Sequence, residues 1–383
     1  MSLAVSEWLL LASTSRAEPE QLLADLAARL DAAGFELIRL SAWLPTLHPE
    51  LWGSQLIWSR ESGCRTVPRT HEVESTAAYL KSPGQALHAG RQAIRCRLDG
   101  PRAELEFPLL AEVAELGATD YFAHVLAADL DRPPWVAFAT ARTGGFTDSQ
   151  LAELTALIPL LGLHAQLAIG RLATRSLLEV YLGPNAARQV LAGQFRRGTG
   201  TTISAAVWFC DLRGFTGMGD RLPGKELVAL LDQYFEAIAG PIESNGGEIL
   251  KMIGDAALAI FPVDAAHDRS NACLRALAAA EGALAAIALD PRLKIGVALH
   301  VGEVVYGNIG GRKRLDFTVI GATVNEVCRV EALCKSLDAP LLMTGAFVAA
   351  LPGTPTVQLG SHPLRGVSEA QPIHTLPRYG PTR

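Results

Sequence analysis

The sequence predicts an α/β (α+β) protein of two domains joined by a helical linker, and three observations predict it. The 383 residues are 49% hydrophobic, enough to fill more than one core. Residues 1–170 read as a leading helix, a series of short strands and a closing long helix, whereas residues 201–383 alternate strands, hairpins and amphipathic helices. Between them, residues 171–200 continue helically, break at Gly183 and Pro184, and end in Arg196, Arg197 and glycines, which reads as a linker or transducer. The two arginines are read as charges at a helix C-terminus.

Composition removes several function classes. The formal net charge of −5 comes without a long basic run, so neither nucleic acid nor an anionic membrane is an expected partner. The six cysteines, at positions 64, 96, 210, 273, 328 and 334, form no C-x-x-C pair and no zinc-type spacing with histidine. Reduced thiols are expected. The stretch MSLAVSEWLLLASTS contains Glu7, lacks a basic start and is far shorter than the roughly 20 apolar residues of a membrane span. The expectation is a soluble, cytoplasmic protein with no membrane span.

In chain order, PEQLLADLAARLDAA (19–33) sets Leu22, Leu23, Leu26 and Leu30 on one helical face. Strands are expected at 35–44, 54–59, 93–98, 103–110, 121–127 and 135–141, separated by turn residues. RTGGFTDSQLAEL then predicts a turn, a cap at Thr147 or Asp148 and a long helix that Pro159 can kink. This helix, strand set and closing helix, with its GFTDSQLAEL turn, resemble the GAF sensor domain. The resemblance implies a regulatory domain for an unidentified small molecule or ion; a dimerisation domain without ligand is the alternative. His48, His71, His88 and His124 are scattered singly and mark no chromophore or metal site.

The second half opens with the apolar strand TTISAAVWFCD, which runs directly into Asp211 and a glycine-rich turn. A lone aspartate there would serve as a helix cap. KELVALLDQYFEAIAGPIES follows with Leu227, Leu230, Leu231, Tyr234, Phe235 and Ile238 on one face. GGEILKMIGDAALAIFP predicts two strands joined by a tight Gly254-Asp255 turn. Further strands precede a helix with Asn325 and Arg329 at i, i+4 spacing, hence on one face.

FCDLRGFT, GGEILKMIGDAALAIF, GVALHVGEVVYGNIG and DFTVIGATVNEVCRVEAL resemble, in order, the motifs of the class III nucleotidyl cyclase catalytic domain, over residues 201 to about 376. The resemblance implies a class III cyclase fold with a ferredoxin-like βαββαβ core. It also implies that Asp211 and Asp255 are metal ligands, with the Leu212 backbone carbonyl completing the shell. Magnesium is the implied cofactor, two ions per site, with manganese able to substitute, and hard oxygen ligands of this kind suit it. The DLRGFTG turn, with Gly214, Phe215 and Thr216, would let backbone N–H groups approach a triphosphate.

Lys251 and Thr318 stand where the family reads the purine edge. An ammonium only donates, so it suits adenine N1 and opposes the N1–H of guanine; guanylate cyclases generally have glutamate there. ATP is therefore the expected substrate, converted to cyclic AMP and pyrophosphate. Thr318, where many adenylyl cyclases have aspartate, is a less exclusive reader and resembles a bacterial-type subgroup, some of whose members respond to bicarbonate. Asn325 and Arg329 match the pair that orients the ribose and stabilises charge on the α-phosphoryl group. Arg365 stands where a terminal-phosphate lysine is common, and its fork changes the geometry of that contact. Arg312, Lys313 and Arg314 are further candidate triphosphate cations, and Ala322 departs from the common GDTVN form at no catalytic position. The family takes its metal and base-reading residues from different protomers, so one chain with a single such domain implies a homodimer with composite sites. The alternatives are a guanylate or dual-specificity cyclase, a non-catalytic nucleotide-binding regulator, and a sensor or interaction module.

Overall fold

The computed structural model describes residues 2–12, 18–100, 105–127 and 130–380. It divides into two compact units, Met1–Val180 and Tyr181–Arg383.

In the first unit, α1 (Ser2–Ala12) and α2 (Pro19–Ala32) precede β1 (Leu37–Pro45), β2 (Leu51–Ser59) and β3 (Gly63–Thr70). Two short helices, α3 (Ala77–Leu80) and α4 (Pro83–His88), lead to β4 (Ala93–Arg97), α5 (Leu109–Glu115), β5 (Asp120–Val125), β6 (Trp135–Thr140) and the long α6 (Asp148–Leu182). The six strands form one antiparallel sheet in the order β3-β2-β1-β6-β5-β4. Alternation along the strands gives it two apolar faces. Leu40, Phe122, Val136 and Phe138 share a core with Leu23, Leu26 and Leu30 of α2 and Leu154, Leu157 and Ile158 of α6. Trp43, Trp135, Ala137 and Tyr121 share the other with Leu87 of α4 and Leu110 and Val113 of α5.

Helix α6 begins as a capping box. Thr147 Oγ1 accepts the Gln150 N–H at 3.1 Å, and Gln150 Oε1 accepts the Thr147 N–H at 3.0 Å. Pro159 lies within the helix, and its buried residues end at Ala165. By length and composition α6 is apolar enough to cross a membrane, and a third of its most apolar window (33%) is buried inside the protein.

Two sequence expectations are corrected here. The strand expected at 103–110 is not one: residues 103 and 104 lie outside the described residues, and the rest approaches α5 through Pro108, with Leu110 and Val113 buried at helical spacing. Strand β3 was not expected, because it is an edge strand with mostly exposed polar residues and Pro68 inside it.

In the second unit, Gly183, at φ +84°, breaks the helix before α7 (Pro184–Leu191). Then come β7 (Gly200–Leu212), α8 (Phe215–Gly219), α9 (Gly224–Ser244), β8 (Glu248–Ile253), β9 (Ala256–Pro262), α10 (Arg269–Ile287), β10 (Ile295–Gly310), β11 (Leu315–Ile320) and α11 (Ala322–Ser336). The chain closes with β12 (Leu341–Thr344), α12 (Gly345–Val348), β13 (Val357–His362) and β14 (Gln371–Thr375). The sheet order is β13-β14-β12-β10-β7-β9-β8, with β11 paired to β10. Its heart, β10-β7-β9-β8, is the βαββαβ order of a ferredoxin-like core. One sheet face packs on Leu230, Tyr234 and Ile238 of α9 and the alanine-rich side of α10. The other packs on Val327, Val330 and Cys334 of α11 and Ala186 of α7.

Candidate active site

Strand β7 starts exposed at Gly200, Thr201 and Thr202, is buried at Ala205, Ala206, Val207, Trp208 and Cys210, and ends in half-buried Asp211 and buried Leu212. Asp211 pairs with Ala256, the first residue of β9, so the turn between β8 and β9 lies directly beside it. That turn contains only Gly254 and Asp255, since Ile253 pairs with Ala256, and Gly254 takes φ +64°, a conformation that glycine adopts without strain. The Leu212 N–H donates to the Asp255 carbonyl at 3.3 Å and ties strand end to turn.

The two carboxyl groups are thereby neighbours. Burial, and then a hydrogen bond and charge repulsion from Asp255, lift the Asp211 carboxyl to about 6, and Asp211 Oδ1 is buried without a hydrogen-bond partner. A carboxyl group raised in this way lacks a counter-charge. Among the described residues, no group of three or more His, Cys, Asp or Glu side chains is placed to hold a metal. Two carboxylates suit a hard cation that takes its remaining oxygens from backbone, water and phosphate.

Gly214, in the left-handed region at φ +81°, turns the chain into α8. The N–H groups of Phe215 and Thr216 fall in the first turn, where a helix leaves its donors without internal partners. The Phe215 side chain packs on the core and Thr216 is exposed.

Lys251 of β8 donates to Asp316 Oδ2 at 2.9 Å. Sequence reasoning missed Asp316, which lies two residues from Thr318 on β11 and on the same strand face. Thr318 is 4% exposed and its Oγ1 has no partner. The Lys251 ammonium holds the Asp316 carboxyl below its ordinary value.

Asn325 is exposed in the early part of α11, and Arg329 follows one turn later, half-buried. A Cβ on Gly366 would stand 3.4 Å from Arg329 Nη1, which places the PLRGV loop, with exposed Arg365, against that guanidinium. Arg312, Lys313 and Arg314 are exposed between β10 and β11. No hydrogen bond or ion pair links Asp211 or Asp255 to Lys251, Asn325 or Arg329 among the described residues.

Two further missed residues join the carboxylates to α11. Arg213 donates through Nη2 to the carbonyls of Cys334 (3.0 Å) and Ala339 (2.7 Å), fastening the end of β7 to the C-terminal end of that helix. The Glu331 carboxyl is pushed up to about 7 by burial and then by the charge of Asp211, with Arg213 opposing. The order Arg329, Glu331, Cys334 on one helix was legible, but not which residues turn inward.

Residues 200–367 match the family described as the adenylate and guanylate cyclase catalytic domain. An uncharacterised protein of Mycobacterium tuberculosis is 34% identical over 178 residues, 45% of this chain and 33% of the relative. An adenylate cyclase of Anabaena cylindrica is 34% identical over 166 residues, 39% of this chain and 31% of the relative. The chain thus matches about a third of the length of these relatives. The solved structure of a bacterial light-regulated adenylyl cyclase aligns with TM-score 0.49 and 22% identity, covering 60% of this chain and 66% of its own.

Proposed function

We propose that this chain, whose residues 200–367 match the adenylate and guanylate cyclase catalytic domain family, is an adenylate cyclase that converts ATP to 3′,5′-cyclic AMP and pyrophosphate. The observation that carries the reading is the Asp211–Asp255 pair, two close carboxyl groups with an orphaned buried oxygen and no cation from the protein itself. Magnesium, or manganese in its place, would be held by these two side chains and the Leu212 carbonyl, and when bound it supplies charge neutralisation at the attacking and leaving oxygens.

The protein's own residues do the rest. Backbone N–H groups at Gly214, Phe215 and Thr216 receive phosphate oxygens. Lys251 donates to adenine N1, and Asp316 holds its ammonium at the base while offering an acceptor to the exocyclic amino group. Asn325 orients the ribose so that its 3′-hydroxyl faces the α-phosphorus, and Arg329 stabilises the charge that develops as pyrophosphate departs. Arg365 extends this positive edge toward the terminal phosphates.

The carboxylate pair makes no direct bond to the base-reading or transition-state residues within one chain, which supports a symmetric homodimer in which each site draws on both copies. Mixing Asp211→Ala with Arg329→Ala tests this: both variants are inactive alone, and the mixture regains about a quarter of wild-type turnover if a heterodimer keeps one intact site. No recovery overturns the composite site. We read the N-terminal unit as a GAF-like regulatory domain, a reading supported by its antiparallel sheet with helices on both faces, and the ATP requirement places the catalytic domain in the cytoplasm.

A second reading, a dual-specificity cyclase, is favoured by the Lys251–Asp316 pair, since the carboxylate also accepts from guanine N1–H. Comparing turnover of ATP and GTP decides between them.

A further inference from the structure

The stretch GGEILKMIGD supplies Lys251 and Asp255 to the candidate site and leaves one acid without a role. Glu248, the first residue of β8, is 5% exposed. A carboxylate costs more to bury than an apolar side chain of its size, and it is tolerated where its oxygens hold other elements in place.

Helix α7 and strand β10 both fasten to it. Asn185 of α7 donates through Nδ2 to Glu248 Oε2 at 3.0 Å, and Tyr306 of β10 donates through Oη to Oε1 at 3.0 Å and to Oε2 at 3.1 Å. Arg188 Nη2 donates to Asn185 Oδ1 at 2.9 Å, which turns the N–H side of that amide toward the acid. Burial pushes the Glu248 carboxyl above its ordinary value, opposed by these two partners, the Ala186 N–H and the Arg188 charge. Gly183 lies against the same group: a Cβ on it would stand 3.7 Å from Glu248 Oε1 and 3.6 Å from the Ile249 carbonyl. The first turn of α7 is thus seated on β8 directly after the break from α6.

Two routes lead from Glu248 to the base readers. Along β8, Glu248 pairs with Ile260 and Lys251 with Leu258, which are two residues apart on β9, so both lie on one sheet face. The register shift between Ile249 and Lys251 makes this so, because a regular strand turns residues three apart to opposite faces. Across the sheet, the Tyr306 ring meets Phe317 edge-on, with centroids 4.8 Å apart, and Phe317 lies between Asp316 and Thr318 on β11. One buried acid therefore belongs to the strand of Lys251 and reaches, through a single ring contact, the strand of Asp316 and Thr318.

We propose that Glu248 is a positioning residue for the nucleotide base: by fastening α7 to β8 and β10 it holds Lys251 and Thr318 at the separation that reads one purine, so the seating of the linker helix sets nucleotide affinity. Glu248 itself touches no substrate. The inference rests on the cyclase reading and adds a control point to it.

The test is steady-state turnover of ATP and GTP by the full-length protein, beside calorimetric titration with 3′-deoxy-ATP, which lacks the attacking hydroxyl and reports binding without turnover. Glu248→Gln keeps the shape and removes the charge. It should raise KM for ATP and weaken 3′-deoxy-ATP by about tenfold, the scale of one hydrogen bond to a charged group, and narrow the ATP to GTP preference, while kcat changes by less than about threefold. Asn185→Ala, on the linker helix, should act in the same direction by about threefold and add nothing in the Glu248→Gln background. Asn185 is half-buried in a short helix, so its variant folds even if Glu248→Gln does not. A merely structural acid would lower the melting temperature and leave KM, 3′-deoxy-ATP affinity and the nucleotide ratio alone; that result, an unchanged KM in Asn185→Ala, or additive effects of the two substitutions overturns the proposal. A wild type that binds 3′-deoxy-ATP but forms no cyclic product overturns the cyclase reading instead, and the binding titrations then decide this inference. A wild type that does neither overturns both.

Discussion

Asp120 and Asp211 are the same residue type, each at the end of an interior strand, and the protein treats them in opposite ways. Asp120, wholly buried at the start of β5, accepts Arg95 Nη2 at 2.9 Å, the Phe146 N–H at 3.1 Å and the Tyr121 N–H at 3.0 Å. It pins the turn that launches α6. Asp211 has an orphaned oxygen and another carboxyl group for a neighbour. A buried acid satisfied by its own chain stabilises the fold, whereas one left facing another acid awaits a cation.

The sharpest way to break the comparison is to remove each acid. Asp211→Ala is expected to lower cyclase turnover by about a thousandfold or more while the protein stays folded, measured as cyclic nucleotide released beside a circular dichroism melt. Asp120→Ala should do the reverse. It leaves the Arg95 charge and two N–H groups without their acceptor, lowers stability by about 3 kcal/mol in a denaturant titration, and leaves the intrinsic chemistry of residues 200–367 intact.

A smaller effect concerns the base. Lys251→Glu should reduce ATP turnover by about tenfold to a hundredfold and shift the ATP to GTP ratio toward GTP, as steady-state assays with each nucleotide will show. An unchanged ratio would remove Lys251 from base reading.

The smallest effect is on stability against pH. The folded Asp211 carboxyl, at about 6, lies above its ordinary value of 3.8, so the fold favours its protonated form. Its contribution is fully present below the ordinary value and lost as pH rises through about 6. Asp211→Asn should therefore stabilise the metal-free protein above pH 6 by about 1 kcal/mol, allowing for solvent screening, and not below pH 4. Thermal melts at both pH values, with and without magnesium, check the sign.

Much of the second half was legible because its motifs end strands or make turns: Asp211 at the end of an apolar run, Gly254-Asp255 between two strands, Asn325 and Arg329 one helical turn apart. The N-terminal half was read less completely. Edge strand β3 hides behind polar alternation and Pro68, and α5 looked like a strand because its short apolar run has no length to show a helical period. Asp316, Arg213 and Glu331 escaped for another reason. Their partners, Lys251, the Ala339 carbonyl and Asp211, are distant in sequence, and no spacing rule joins them.

The most direct measurement incubates the full-length protein with magnesium or manganese and with ATP or GTP, beside Asp211→Ala, and identifies the product by mass. The account predicts 3′,5′-cyclic AMP and pyrophosphate from ATP, faster than any product from GTP, and none from the variant. Cyclic AMP formed equally well by Asp211→Ala, or no cyclic product from either nucleotide with either metal, would contradict it.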